Sequence, residues 1–221
     1  MERTRDRPIP SGRVSVAGAL ALALVLAAGG LGVLWRGSNP TAALLGAGAL
    51  GWYNGAYTYL KRVTAFAAVP GSLIGAIPPA IGWTAAGGDL FDPRLAALCF
   101  FFFIWQVPHF WLLLFRLGKD YQRAGFPTLT QVFSVDQLGR LTFVWMVATA
   151  ASCLLIPIFG LSASPWVALS MAACGAWLCA VASRLLRVQK RPMSLRLAFR
   201  DINVFALLVM GLLTLDAVLP L

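Results

Sequence analysis

Apolar residues in this chain come in long runs separated by short polar stretches. The runs fall at about 14–35, 41–60, 66–86, 95–115, 141–159, 165–183 and 202–219. A helix needs about twenty apolar residues to cross a hydrocarbon core of about 30 Å. The pattern therefore predicts an all-α, polytopic transmembrane helical bundle of about seven spans. The third run is interrupted by Pro70, Gly71, Gly75, Pro78, Pro79 and Gly82, residues that kink a helix or let neighbouring helices approach closely. The first run follows a basic segment, as a signal peptide would. It is too long for an ordinary signal-peptide core and six further runs succeed it, so it is expected to be a retained signal-anchor.

The polar stretches between the runs set the orientation. Counted by alternate loops, one side receives 16 of the 18 Lys and Arg residues, and the other receives only Arg36 and Arg94. By the positive-inside rule the N-terminus is expected in the cytoplasm and the C-terminus outside. This bias also means that much of the basic content serves topology alone.

Composition agrees with the pattern. Of the 221 residues, 59% are hydrophobic and 12% charged, against about 25% charged in ordinary soluble domains. The net charge of +10 does not point to nucleic acid, because the basic residues are dispersed between apolar spans and form no single patch. Cys99, Cys153, Cys174 and Cys179 lie within apolar runs without CxxC spacing and are expected to pack in the interior.

Candidate chemistry gathers on the basic side. In WQVPHFWLLLFRLGKDYQRAGFP, residues 105–127, Gln106, His109, Leu113, Arg116, Asp120 and Arg123 are spaced by three and four. On one helix they form a single stripe, which must turn toward protein or a water-filled cavity. Gly118 interrupts that helix-forming stretch. His109, the only histidine, either carries chemistry or merely hydrogen-bonds between helices. Further polar groups are Arg3-x-x-x-Arg7, Tyr57-x-x-x-Lys61-Arg62-x-Thr64 and the basic stretch 184–200. Arginine forks and lysine suit phosphate oxygens, and a carboxylate beside them suits Mg²⁺ bridging to phosphate. Asp120 is the acidic residue placed for that. Asp89 and Asp92 mimic a D-x-x-D metal motif, but they sit in a Gly/Pro-rich loop on the opposite side, where a turn is expected.

Three blocks carry a family resemblance: MERTRDRP, then YTYLKRVT followed by GAIPPAIGW, then the 105–127 stretch. In order and spacing they resemble the protohaem IX farnesyltransferase (haem O synthase) family of the UbiA superfamily of intramembrane prenyltransferases. The W-Q-x-P-H-F and K-D-Y-x-x-A-G-x-P blocks resemble the haem-modifying branch in particular. The resemblance implies a multi-pass protein of the cell inner membrane, in which Mg²⁺ and basic residues hold farnesyl diphosphate. It also implies transfer of the farnesyl group to a vinyl group of haem b, giving haem O for haem A and terminal oxidases. Haem A synthase or oxidase assembly factors are implied as partners, beside the lipid bilayer.

By the same resemblance, Arg3, Arg7, Lys61 and Arg62 would hold diphosphate. Lys61, Arg62 and Asp120 would act in catalysis, with Asp120 holding metal or orienting a base. His109 would bind haem, by ligating its iron or by contacting a propionate. Family members usually have nine spans, and an Asn/Asp-rich metal motif precedes the block matched by Arg3 and Arg7. Residues 1–221 are thus expected to form one integral-membrane prenyltransferase domain without the first two spans and that motif. Two other outcomes remain open. One is a non-catalytic relative that binds haem. The other is a UbiA-type enzyme acting on a different aromatic acceptor.

Overall fold

The computed structural model describes residues 4–162, 164–187 and 192–219, apart from the side chains of Arg116 and residues 192–194. Among these residues every regular element is helical. Five helical segments have the length and apolarity to cross a membrane: Val16–Gly37, Pro93–Phe115, Val135–Ile158, Pro165–Arg187 and Leu195–Val218. The chain is a multi-pass membrane protein. The other two predicted runs are built differently. Helix α2 (Pro40–Gly51) passes through a π turn (Trp52–Tyr57) into α3 (Thr58–Val63), and the third run splits into α4 (Ala68–Gly71) and α5 (Leu73–Ala85). In the third run the physical reason lies in the glycines and prolines anticipated there, which break uniform α-helical hydrogen bonding.

Helix starts follow local chemistry. The side chains of Ser15, Asn39, Asp92 and Ser164 accept backbone N–H bonds at the heads of α1 (Val16–Gly37), α2, α6 (Pro93–Arg123) and α9 (Pro165–Ala182). A Ser134–Gln137 capping box opens α8 (Val135–Ile158), after the short α7 (Leu129–Val132). A 3₁₀ turn (Ser183–Arg187) follows α9, and α10 (Pro192–Val218) closes the bundle.

The core lies between α6, α8, α9 and α10, where Phe101, Met146, Cys153, Met171, Leu178, Ile202 and Phe205 are buried. Cys153 packs there as expected, its thiol donating to the Ala150 carbonyl. Helix α1 has no buried residue and exposes Leu20, Leu22, Leu24, Val25 and Leu26, as lipid contact allows.

Helix α6 positions the site. It runs unbroken for 31 residues, about 46 Å at 1.5 Å per residue. This exceeds a hydrocarbon core, so its charged end reaches the interface. Gly118 does not break it. That glycine is buried, and Thr130 Oγ1 would lie 3.7 Å from a Cβ added there, so the following loop packs against the helix. The helix ends before Gly125, whose φ of 77° turns the chain away.

Candidate functional site

His109 is held between α6 and α10. Its ring stands 4.9 Å from that of Trp105 and 5.1 Å from that of Phe199, tilted by 38° and 39°, with Phe110 edge-on at 5.7 Å. His109 Nδ1 is 2.9 Å from Asn203 Oδ1. The Asn203 amide in turn donates from Nδ2 to the Phe199 carbonyl at 2.6 Å, and Trp105 Nε1 donates to the Ile202 carbonyl at 3.1 Å. The histidine does bond between helices, and it does so inside a cage that restricts its ring.

About one turn further along α6 a second feature begins. Tyr57, Lys61, Thr64, Leu113, Tyr121 and Pro127 contribute to a cleft of about 70 Å³. The π turn makes its far wall. Asn54 and Thr58 donate to the Leu50 and Tyr53 carbonyls, which supports the widened backbone. Trp52 Nε1 donates to the Pro70 carbonyl at 2.9 Å and ties this wall to α4. Tyr57 and Lys61 are one turn apart, with Nζ 5.8 Å from the ring centre. Lys61 and the Tyr121–Pro127 end of the third block, distant in sequence, thus meet at one cleft.

The other expected groups are less closely gathered. Asp120 is half-buried beside Tyr121. Arg62 is exposed and is not part of the cleft wall. Arg7 is exposed in the turn that precedes α1. Arg3 lies outside the described residues. Among the described residues no three His, Cys, Asp or Glu side chains converge on one point. The donor set therefore does not make a self-sufficient metal cage. A single carboxylate does fit Mg²⁺ that is carried largely by substrate phosphates and water.

Three features were not assigned from the sequence. Asn203 and Phe199 complete the His109 cage from 90 or more residues away, and no local motif announces them. Asp201, only 2% exposed, receives Arg200 at 2.8 Å and faces Arg184 at 4.0 Å. Two arginines of the basic stretch 184–200 therefore brace the 3₁₀ turn and α10. The third is an apolar groove of about 590 Å³ between α5, α6 and α10, walled by Gly75, Pro78, Phe102, Trp105, Met210 and Leu213 among others. Gln106 fills the notch at Gly75, where an added Cβ would lie 2.8 Å from its Cδ.

The D-x-x-D loop of Asp89 and Asp92 is a turn, as expected. Asp89 Oδ1 accepts from Phe91 N, and Asp92 Oδ1 from Arg94 N. Bonding from the Arg94 side chain and backbone holds the Asp92 carboxyl below its ordinary pKa.

Comparison with known proteins places these features in a family. The UbiA prenyltransferase family model matches residues 1–212. The chain is 50% identical over 173 residues to the protoheme IX farnesyltransferase of Geobacter sulfurreducens, covering 76% of this chain and 63% of that protein. It is 36% identical over 216 residues to the enzyme of that name from Oleidesulfovibrio alaskensis, covering 98% of this chain and 74% of the relative. A solved structure concerning digeranylgeranylglyceryl phosphate synthase in membranes superposes with a TM-score of 0.71 at 16% identity, over 96% of this chain and 75% of that one. That likeness supports the fold. By the matched family model and these relatives, the chain belongs to the UbiA prenyltransferase family.

Proposed function

We propose that this protein transfers a farnesyl group from farnesyl diphosphate to a vinyl group of protohaem IX, giving haem O. The observation that carries the reading is the placement of two sequence blocks on α6. The caged His109 and the Lys61 cleft lie about one helical turn apart, and relatives 50% and 36% identical to this chain are named protoheme IX farnesyltransferases.

Lys61 meets the diphosphate as a compact charge, with the exposed Arg62 and Arg7 adding positive charge and Arg3 assigned with them by its place in the same block as Arg7. UbiA-family prenyltransferases generally depend on Mg²⁺. Asp120 is the residue to hold it, and bound Mg²⁺ supplies charge neutralisation for the departing diphosphate. His109 holds protohaem beside the cleft. The apolar residues Phe110, Leu113 and Leu114 limit water around the allylic cation. The chain acts as one prenyltransferase domain in the cell inner membrane, with its N-terminus cytoplasmic, because 16 of its 18 basic residues sort to that side.

The test is direct. Purified protein in lipid is incubated with protohaem, farnesyl diphosphate and Mg²⁺, and the haem is extracted for mass spectrometry. The expected product is heavier by one farnesyl group and one hydroxyl, the proton of the captured water leaving with the diphosphate, and Lys61→Gln lowers its yield. Haem-loaded, folded protein that forms no such product refutes the reading and leaves a haem-binding relative. Prenylation of a quinone precursor in preference to protohaem moves it to the other branch of the family.

A further inference from the structure

The hydrogen bonds around His109 determine which ring nitrogen is available. Asn203 Nδ2 donates to the Phe199 carbonyl at 2.6 Å. Rotating the amide to bring that nitrogen to His109 would break this bond and set the amide oxygen against a carbonyl oxygen. The orientation is therefore fixed, and Oδ1 faces His109 Nδ1 at 2.9 Å. An amide oxygen only accepts, so Nδ1 must carry the proton. In the neutral ring the lone pair then lies on Nε2. No hydrogen bond to Nε2 is present among the described residues. Trp105 and Phe199 flank the ring at 4.9 and 5.1 Å, and Trp105 is tied to the Ile202 carbonyl. The imidazole is oriented by the same stretch of α10 that sets its tautomer.

From this we infer that Asn203 is a positioning residue, and that His109 meets protohaem through Nε2 at the iron and not through a propionate. This rests on the protohaem reading of the site. Contact with a propionate needs an N–H donor at Nε2, whereas this tautomer presents a lone pair to the carboxylate. A lone pair is what an iron ligand requires. A carboxylate, backbone carbonyl or water bonded to the other ring nitrogen is the usual means by which a protein orients a metal-binding histidine, and here the Asn203 amide oxygen takes that place. Binding through the iron would hold the macrocycle by its centre and would leave its edges, vinyl groups included, available to the neighbouring Lys61 cleft.

Two porphyrin probes separate the possibilities, using the full chain in lipid nanodiscs. Protohaem dimethyl ester keeps the iron and lacks free propionates, whereas protoporphyrin IX keeps the propionates and lacks iron. Iron ligation predicts that the ester binds nearly as well as protohaem and that protoporphyrin IX binds at least tenfold more weakly. The opposite order overturns the inference while leaving the protohaem reading intact. Failure of the wild-type chain to bind protohaem at all overturns both.

Asn203 is tested through the iron–histidine stretching band of the ferrous complex. His109→Ala removes the band. Asn203→Leu weakens protohaem binding about 10- to 100-fold, the usual range for such second partners. Asn203→Asp, a stronger acceptor of similar shape that gives up the bond to the Phe199 carbonyl, retains binding and moves the band to higher frequency. An Asn203→Asp band at the wild-type frequency, in protein that binds protohaem, overturns the assignment even if Asn203→Leu fails to fold.

Discussion

Replacing Gly71 with Ala tests whether the α4–π-turn contact sets the Lys61 cleft. Gly71 is buried against the Tyr57 ring, and a Cβ there would lie 2.6 and 2.7 Å from Cδ2 and Cε2. Carbon atoms settle at about 3.5–4.0 Å, so the ring must retreat by about 1 Å. The space open to it is the cleft of about 70 Å³ that it already lines. Lys61 Nζ sits 5.8 Å from the ring centre and moves with it. A displacement of about 1 Å in a group that positions substrate costs on the order of 10²-fold in rate. The variant is therefore expected to form haem O 10- to 100-fold more slowly, while its unfolding temperature stays near that of wild type. Initial rates and thermal unfolding are measured in the same lipid. Tyr57→Ala removes the clashing ring, so adding Gly71→Ala to it should cause little further loss, a non-additivity expected of touching residues. Wild-type turnover by Gly71→Ala, or fully additive losses in the double variant, would refute the reasoning.

Other glycines predict stability effects of opposite sign. At Gly139 a Cβ would lie 2.9 Å from the Leu185 carbonyl oxygen, whereas at Gly211 nothing lies within 4 Å. Overpacking costs about 1–3 kcal/mol, while Ala in place of Gly gains up to about 1 kcal/mol in a helix. Gly139→Ala should thus unfold at a lower temperature than wild type and Gly211→Ala at an equal or higher one; equal shifts would sink the argument. In the loop that carries Asp89 and Asp92, Gly88 gives room to the Trp83 indole, whose Nε1 donates to the Asp89 carbonyl at 3.0 Å while Arg94 lies over the ring at 5.3 Å. Gly88→Ala should speed amide exchange across 87–92 without changing prenyl transfer, and unchanged exchange there would show that the latch does not hold the loop.

Much of the fold was legible because a bilayer restricts the alternatives. With no water to satisfy backbone groups, an apolar run of about twenty residues becomes a helix. Five such helices stand where the runs predicted them. Less legible was the Trp52–Tyr57 segment. Its π geometry depends on side chains donating to freed carbonyls, and residue spacing does not reveal that. Gly118 shows the reverse: its low helix propensity is overridden by packing against the loop at Thr130.

For the site, spacing placed Gln106, His109, Leu113 and Asp120 on one stripe of α6, because 3.6 residues per turn is a local property of the backbone. The chemistry of that stripe depends on α10. Asn203 and Phe199 approach His109 only when α6 and α10 pack together, and that packing is decided by the burial of Phe101 against Phe205 and their neighbours. Likewise, the sequence groups the basic stretch 184–200 with other residues of a type suited to phosphate, but the fold turns Arg184 and Arg200 toward the buried carboxylate of Asp201. The sequence alone determined the membrane class, the five long helical runs and the set of candidate polar groups, since these follow from local hydropathy and residue type. Tertiary structure decided which lysine enters the cleft, which arginines are structural and which nitrogen of His109 is free, because those depend on contacts between helices far apart in the chain.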